Sequence, residues 1–196
     1  MDIVARKAAL RAAVLDRRDA LDPAWRVAAS RQLAALDLPF APRPGLTVSG
    51  FWPIRSEIDV RPLMERLAGA GCRLALPRIE EGRLAFRAWA FGDPLEDAGF
   101  GTRVPTSSAP HSQPEILLTP LVAFDGRGAR LGYGKGYYDG AIARLTFRRP
   151  LTVGIAFSVQ QVQEVPTEPH DRYLDYVLTE RGYAAGQLPP GAGAAL

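Results

Sequence analysis

The stretch that decides the fold is residues 116–147, which have the sequence ILLTPLVAFDGRGARLGYGKGYYDGAIARLTF. Its apolar start, Ile116 to Phe124, predicts a buried strand, and Tyr137 to Phe147 has the spacing of a helix. The loop from Asp125 to Asp139 contains five glycines, three cationic side chains and three tyrosines. Glycine lets a ligand approach bare backbone N–H groups, and the start of a helix adds the positive end of its dipole. Together these features predict an anion site, most often one for a phosphate.

The loop matches neither of the common nucleotide-binding patterns. Lys135 is followed by Gly136 rather than by Ser or Thr, and the G-x-x-x-x-G-K-[ST] spacing is absent. Gly132, Gly134 and Gly136 are evenly spaced, which differs from G-x-G-x-x-G. Glycine density alone would favour a solvated surface turn. The apolar lead-in, the cations, the tyrosines and the trailing aspartate together favour phosphate binding over that interpretation.

Length and composition favour a single globular domain. The chain has 196 residues, 47% of them apolar and 23% charged, with a net charge of +3 that is not by itself a nucleic-acid footprint. Its one cysteine, Cys72, excludes an internal disulfide and suits a reducing compartment. No apolar run approaches the roughly 20 residues that span a bilayer, and the N-terminus lacks the apolar core of a signal peptide. We therefore expect a cytoplasmic monomer that binds small molecules and neither nucleic acid nor membrane.

Strands that alternate with helices predict an α/β fold with a largely parallel or mixed central sheet flanked by helices. We expect one domain over residues 1–182 and a flexible tail over 183–196, because the tail is rich in Pro, Gly and Ala. The polar stretch Gly92 to Pro114 is predicted to be a long loop that contains an exposed His111. The predicted helices are Asp2–Leu21, Pro23–Leu36, Asp59–Ala70 and Ser158–Val162. The other predicted strands are Leu46–Trp52, Arg73–Leu76, Leu84–Trp89, Leu151–Phe157 and Tyr176–Leu178.

Familiar catalytic patterns are missing from the sequence. There is no G-x-S-x-G motif for a serine hydrolase, and one cysteine with two separated histidines does not support zinc. Magnesium with a nucleotide is better supported, because Asp139 follows the glycine-rich loop directly and Asp175 lies in a second loop beside a strand. The residues alone therefore predict an ATP-dependent enzyme that acts on a small substrate.

Three further charged residues are candidates on position alone. Lys7 and Arg11 lie at about 40° and 80° from the apolar line of the first helix, where long cationic side chains can reach past the core edge. A solvated basic face is the favoured interpretation of that spacing. Glu57 follows a predicted strand at its carboxyl end, where ligands collect in open α/β sheets. A solvated or capping carboxylate is an equal alternative for Glu57.

The glycine-rich loop resembles the signature of the 5-formyltetrahydrofolate cyclo-ligases, also called methenyltetrahydrofolate synthetases. The segments that carry the resemblance are Leu121-Val-Ala-Phe-Asp125, Arg130-Leu-Gly-Tyr-Gly-Lys-Gly-Tyr-Tyr-Asp139, Lys7-Ala-Ala-Leu-Arg11, Trp52-Pro-Ile-Arg-Ser-Glu57 and Tyr173-Leu-Asp-Tyr-Val-Leu-Thr-Glu180. The resemblance implies conversion of 5-formyltetrahydrofolate to 5,10-methenyltetrahydrofolate with ATP and Mg²⁺, through a phosphorylated formyl intermediate, with release of ADP and phosphate. It also implies the sheet architecture of ribose-5-phosphate isomerase and CoA-transferase-like proteins.

The same resemblance implies a role for each matched residue. Arg130 and Lys135 would be catalytic, and Asp139 and Asp175 would hold magnesium. The ATP site would comprise Lys7, Ala8, Ala9, Leu10, Arg11, Arg130, Leu131, Gly132, Tyr133, Gly134, Lys135, Gly136, Tyr137 and Tyr138. The folate site would comprise Trp52, Glu57, Trp89, Tyr133, Gly134, Lys135, Gly136 and Tyr137, with a core tryptophan as the equal alternative for Trp89.

One position departs from the family pattern. Many members have Gly-x-x-Glu-Pro before the long loop, whereas Gly101-Thr-Arg-Val-Pro105 places Val104 at the acidic position. Two alternatives to the cyclo-ligase remain: a relative that uses ATP to activate another formyl or carboxyl compound, and a nucleic-acid-binding module. Glu57 argues against the first, and the modest net charge argues against the second.

Overall fold

The computed structural model describes residues 2–99, 101–145 and 149–186. The helices are α1 (Ile3–Asp19), α2 (Pro23–Ala35), α3 (Arg61–Gly69) and α4 (Tyr137–Arg144). The strands are β1 (Thr47–Ser49), β2 (Arg73–Glu80), β3 (Arg83–Ala88), β4 (Leu95–Asp97), β5 (Arg103–Pro105), β6 (Ile116–Pro120), β7 (Ala123–Phe124), β8 (Arg130–Leu131), β9 (Leu151–Ile155), β10 (Tyr176–Thr179) and β11 (Gly182–Ala185). None of the described helices is long and apolar enough to cross a membrane.

The described strands form a central sheet of seven, in the order β11-β10-β9-β6-β1-β2-β3. Its five inner strands are parallel, and β3 and β11 add one antiparallel strand at each edge. Two small hairpins, β4 with β5 and β7 with β8, lie outside this sheet. The α/β prediction with a mostly parallel central sheet is therefore confirmed. Parallel strands bring their carboxyl ends to one edge, which is where the loops that follow β1 and β6 begin.

Local signals set the helix starts. The side chain of Asp2 accepts a hydrogen bond from Ala5 N, and that of Asp22 accepts one from Trp25 N, so each satisfies an orphan donor in a first turn. Pro23 occupies the first turn of α2, where its missing N–H costs nothing. These caps explain why the two N-terminal helices are close to their predicted bounds.

Apolar packing fixes the helices on the sheet. The main cluster joins α2 and α3 to the sheet through residues such as Leu33, Leu63, Val48 and Leu118, none more than 1% exposed. Burying each such side chain contributes about 1.5–3 kcal/mol. A second cluster packs Val14 of α1 against the β7–β8 region. α1 is thereby attached to the glycine-rich loop.

Three predicted features differ from the structure in detail. Residues 92–114 are not a continuous loop, because β4 and β5 pair within them as a short hairpin. The tail does not start at residue 183, because β11 pairs with β10 over Gly182–Ala185. The rest of the proposed tail, 187–196, and the proposed end of α4 at Phe147 lie outside the described residues. The predicted helix Ser158–Val162 is a 3-10 turn over Ser158–Gln160.

Candidate functional site

The base of the glycine-rich loop is held by a buried carboxylate. Asp125 is 2% exposed and its oxygens accept hydrogen bonds from the backbone N–H groups of Arg127, Ala129 and Val165. Gly128 has φ +81°, and a Cβ there would lie 2.5 Å from the carbonyl oxygen of Leu174. The loop base is therefore rigid, and glycine is required at that turn.

Arg130 links the loop to two other segments from a buried position. Its Nη2 donates to Oδ1 of Asp139 at 2.8 Å, and its Nη1 donates to the carbonyl oxygen of Arg172 at 2.5 Å. Burial lowers the pKa of Arg130, and the charges of Asp139 and Asp171 oppose that shift. The guanidinium remains a cation, since arginine is not deprotonated in proteins. It therefore supplies fixed positive charge at the base of the loop.

The apex of the loop is exposed and lies at the start of α4. Residues 133–136 are exposed, and Gly134 and Gly136 have φ of +100° and +64°. Among the described residues, Lys135 has no ion-pair partner, so its ammonium group is available to a ligand. Leu131 is buried, Gly132 is half-buried, and Tyr137 and Tyr138 pack partly against the cluster of Ala141 and Ile142. The predicted phosphate loop thus has a fixed base and an open, cationic apex.

α1 brings one predicted cation, Arg11, to this loop and a second, Lys7, to the neighbouring segment 168–171. Nε of Arg11 donates to the carbonyl oxygen of Gly132 at 2.9 Å. Nζ of Lys7 donates to Glu168 and Asp171, both at 2.7 Å. Burial alone would lower the pKa of Lys7, but these two carboxylates raise it and keep the side chain charged. Ala8 and Ala9 are exposed between them, and Leu10 packs against the β7–β8 cluster.

Glu57 lies in the loop after β1, next to the same apex. Its Oε2 accepts a hydrogen bond from Ile54 N at 2.9 Å. Burial raises the pKa of Glu57, while the Ile54 N–H, the charge of Arg18 and the Tyr133 hydroxyl oppose the shift. Glu57 is thus a partly buried carboxylate with spare acceptor capacity. A group that binds two neighbouring N–H donors needs this property.

Arg18 is the residue that the sequence predictions missed. It is 1% exposed, its Nε donates to Oγ of Ser56 and its Nη2 donates to the Tyr133 hydroxyl, both at 2.9 Å. It thereby joins α1, the Glu57 loop and the loop apex. A helical count places Arg18 at about 60° from the apolar line, between Lys7 and Arg11. Its position on the same side of α1 as Lys7 and Arg11 is the sequence signal that could have identified Arg18 as a site residue.

Two tryptophans line a cavity of about 480 Å³ beside the Glu57 loop, together with Arg61, Phe91 and Arg103. Trp52 meets Trp89 edge to face with ring centroids 6.3 Å apart. Trp89 is only 5% exposed and belongs to the main core cluster, so much of its role is packing. Trp52 is the more open of the two, and the guanidinium of Arg61 lies 5.0 Å above its ring.

The two aspartates predicted to share a magnesium ion have different neighbours. Oδ1 of Asp139 accepts hydrogen bonds from Arg130 and from Arg172 N. Both oxygens of Asp175 are bound elsewhere, Oδ1 to Arg149 and Oδ2 to the backbone N and Oγ1 of Thr152. Asp175 therefore anchors the start of β9 and β10. Across the described residues, no group of three His, Cys, Asp or Glu side chains could hold a metal by itself.

Asp171 fits the loop better than Asp175 does. It precedes Arg172, whose N–H and carbonyl groups bind Asp139 and Arg130, and its carboxylate binds Lys7. Burial would raise the pKa of Asp171, but the hydrogen bond from Lys7 lowers it overall. The carboxylates beside the loop are thus Asp139, Asp171 and Glu168.

Val104, which replaces an acidic residue of the pattern, is buried in β5 opposite Glu96. It contributes packing to the β4–β5 hairpin and no charge.

The chain is similar to known proteins over most of its length. The chain is 32% identical over 174 residues to 5-formyltetrahydrofolate cyclo-ligase of Escherichia coli (strain K12), covering 85% of this chain and 96% of that protein. It is 29% identical over 189 residues to the cyclo-ligase of Mycolicibacterium smegmatis, covering 91% and 96% of the two chains. The solved structure of 5,10-methenyltetrahydrofolate synthetase from Aquifex aeolicus superposes with a TM-score of 0.75 at 30% identity, covering 97% of this chain and 95% of that one. The synthetase from Mycoplasma pneumoniae gives 0.70 at 26%, covering 89% and 98%.

A family model extends over the whole site. It matches residues 3–180, which include α1, the Glu57 loop, the glycine-rich loop and the segment around Asp171. Because the match spans nearly every element that builds the site, the chain belongs to the 5-formyltetrahydrofolate cyclo-ligase family.

Proposed function

We propose that the protein cyclises 5-formyltetrahydrofolate to 5,10-methenyltetrahydrofolate, with conversion of ATP to ADP and phosphate. The observation that carries the proposal is the pair of hydrogen bonds from Arg18 of α1 to Ser56 and to Tyr133, which joins the Glu57 loop to the apex of the glycine-rich loop. One surface thus combines a cationic loop that suits a triphosphate with a carboxylate that suits the N–H groups of a pterin.

ATP would occupy the glycine-rich loop. The exposed apex offers backbone N–H groups and Lys135, and the start of α4 adds its positive dipole end. From α1, Arg11 binds the carbonyl oxygen of Gly132 in this loop, and Lys7 binds the carboxylates of Glu168 and Asp171 beside it. Cations from the loop and from α1 would therefore lie around the phosphates, together with the start of α4.

The pterin would lie against Glu57. A carboxylate can accept two parallel N–H donors, and the pterin 2-amino and N3–H groups form such a pair. Trp52 would border the substrate from the same loop, whereas Trp89 supports Trp52 from the core.

The reaction requires positioning and charge neutralisation rather than a nucleophilic side chain. The formyl oxygen attacks the γ-phosphorus and ADP leaves, which produces a phosphorylated imidate. N10 then attacks the activated carbon and loses its proton, and phosphate leaves with the former formyl oxygen. Arg130, fixed by Asp139 and Arg172, and the exposed Lys135 would stabilise charge on the transferring group.

Magnesium fits this site only as a metal shared with phosphate oxygens. Asp139 keeps one carboxylate oxygen without a partner among the described residues, and Asp171 lies beside it. Magnesium is commonly bound by one or two carboxylates together with phosphates and waters, and it would neutralise phosphate charge. We therefore propose Asp139 and Asp171 as its ligands, in place of the predicted Asp139 and Asp175.

The purified protein tests this function directly. With 5-formyltetrahydrofolate, ATP and Mg²⁺, we expect the absorbance of the methenyl product to appear together with one ADP for each product molecule. No product with either monoglutamyl or polyglutamyl substrate would contradict the proposed function. ATP consumption that required a different formyl compound would instead favour a diverged activity.

A further inference from the structure

Arg18 has one donor without a protein partner. Its Nη1 is buried and forms no hydrogen bond, whereas its Nε and Nη2 bind Ser56 and Tyr133. No other buried side-chain N or O atom among the described residues lacks a partner. Buried donors are almost always paired, so an unpaired arginine N–H within a ligand site points to a partner that arrives with the ligand.

Glu57 is a hydrogen-bond acceptor that lies beside this arginine donor. The charge of Arg18 opposes the burial that raises the pKa of Glu57, and the Tyr133 hydroxyl, which accepts from Arg18, lies near the Glu57 carboxylate. Ser56, the residue before Glu57, fixes the other side of the guanidinium, and its hydroxyl also binds Asp19. Arg18 and Glu57 therefore form a donor beside an acceptor, held by adjacent residues of one loop.

Tyr133 covers this pair in a way that a ligand can reverse. The Tyr133 hydroxyl accepts from Arg18, and the centre of its guanidinium lies 5.9 Å from the centroid of the tyrosine ring. The side chain is 37% exposed and is flanked by Gly132 and Gly134 at the loop apex. Glycine neighbours allow the tyrosine to swing outward, which would uncover the guanidinium.

The amide edge of a 4-oxo pterin matches the uncovered pair. Along that edge, the 4-oxo oxygen is an acceptor, and the adjacent N3–H and 2-amino groups are donors. We propose that Arg18 donates to the 4-oxo oxygen while Glu57 accepts from the two N–H groups, after the Tyr133 hydroxyl leaves the pair. This inference rests on the proposed function and adds to it a residue that selects the substituent at position 4 of the ring.

Selectivity between two ring types follows from this geometry. A 4-amino pterin presents a donor where the 4-oxo pterin presents an acceptor, and its N3 carries no hydrogen, so it would leave the Arg18 donor facing another donor and Glu57 facing an acceptor. Sites built around a buried polar group reject ligands that cannot pair with it. We expect the wild-type protein to bind 5-formyltetrahydrofolate at least tenfold more tightly than its 4-amino-4-deoxy counterpart, and Arg18→Gln to lower that ratio several-fold, while Glu57 keeps the remaining preference.

The test compares dissociation constants of both ligands, measured by tryptophan fluorescence, for the wild type and four variants. Arg17→Gln is the matched control, because Arg17 is the exposed neighbour on the same helix. Tyr133→Phe should keep the preference for the 4-oxo ligand, since only the covering hydroxyl is removed. If Arg18 merely positioned Tyr133, then Tyr133→Phe would lower the preference as Arg18→Gln does, and the proposal would be overturned.

Arg18→Lys is measured as a second Arg18 variant, in case Arg18→Gln does not fold. Lysine keeps the charge but lacks the planar fork, so we expect an intermediate ratio. An unchanged ratio in either soluble Arg18 variant would overturn the inference and leave the proposed function intact. A wild-type protein that bound neither pterin would contradict the proposed function, and the Arg18 assignment with it.

Discussion

At the scale of single residues, Glu57 couples folate binding to pH. Burial raises its pKa above the ordinary glutamate value of 4.5. As the pH falls, Glu57 is therefore protonated earlier than an exposed glutamate and loses its ability to accept two N–H donors. We expect affinity for 5-formyltetrahydrofolate to be constant near neutral pH and to fall through this raised pKa. Glu57→Gln should bind weakly and lack that acid limb, as titration calorimetry across pH would show.

The same pKa shift has an opposite consequence for stability. A raised pKa means that the folded state holds the proton more tightly than the unfolded state does. Glu57 therefore favours folding as pH falls through its folded pKa, and its ionised form opposes folding above that pKa. Glu57→Gln should consequently melt at an equal or higher temperature near neutral pH, which would separate a binding defect from a folding defect.

We expect alanine substitutions of Lys135 and Arg130 to differ in their effects on stability. Lys135 is exposed and unpaired among the described residues, so Lys135→Ala should lower turnover by about 10²-fold or more while changing stability by less than about 0.5 kcal/mol. Arg130 is buried and binds Asp139, so Arg130→Ala should also destabilise the fold by about 2 kcal/mol or more. Steady-state kinetics and urea unfolding check both, with the exposed Arg31→Ala as control. A stable, fully active Lys135→Ala would contradict the assigned role.

Single-residue properties were only partly visible in the sequence. Glu57 and the loop residues were found from their positions, but Arg18 resembled one of several cations on a basic helix. Its burial depends on Ser56 and Tyr133, which lie 38 and 115 residues away along the chain. The sequence predicts Asp175 as a magnesium ligand because it is a carboxylate beside a strand, whereas its partners in the structure are Arg149 and Thr152.

At the scale of elements, α1 carries much of the site. Val14 on one side packs fully buried against the β7–β8 cluster, while Lys7, Arg11 and Arg18 reach toward the loop. We expect Val14→Ala to reduce the free energy of unfolding by about 2 kcal/mol through lost burial and a residual cavity.

Urea denaturation measures this effect, and the same helix supplies its control. Val4 is 68% exposed, so Val4→Ala should change stability by less than about 0.5 kcal/mol. Equal effects at the two positions would show that α1 does not depend on the β7–β8 cluster.

Elements were predictable where a strong periodic pattern met a clear cap. α1 and α2 begin at aspartates that cap their first turns, and their bounds were close to the prediction. The β4–β5 hairpin was missed because its strands have only three residues each, too few to show alternation. β11 was missed because Gly182–Ala185 is short and lacks branched residues, and its pairing with β10 determines its structure.

At the scale of the whole molecule, the alternation of strands and helices predicted the fold class but not the strand order. β6 lies between β1 and β9, so the loops after β1 and β6 start from neighbouring strands. Contacts such as Lys7 to Asp171 then join residues 164 positions apart. Sequence spacing carries no direct signal for such contacts, which is why the site could be predicted in segments but not assembled.

In the proposed reaction, ATP and the folate react directly with each other on this surface. The fate of the formyl oxygen tests it, using 5-formyltetrahydrofolate labelled with ¹⁸O in the formyl group, together with ATP and Mg²⁺. Direct attack on the γ-phosphorus predicts that each inorganic phosphate released carries one ¹⁸O atom, as mass spectrometry would show. Unlabelled phosphate formed at the same rate as the methenyl product would contradict the account.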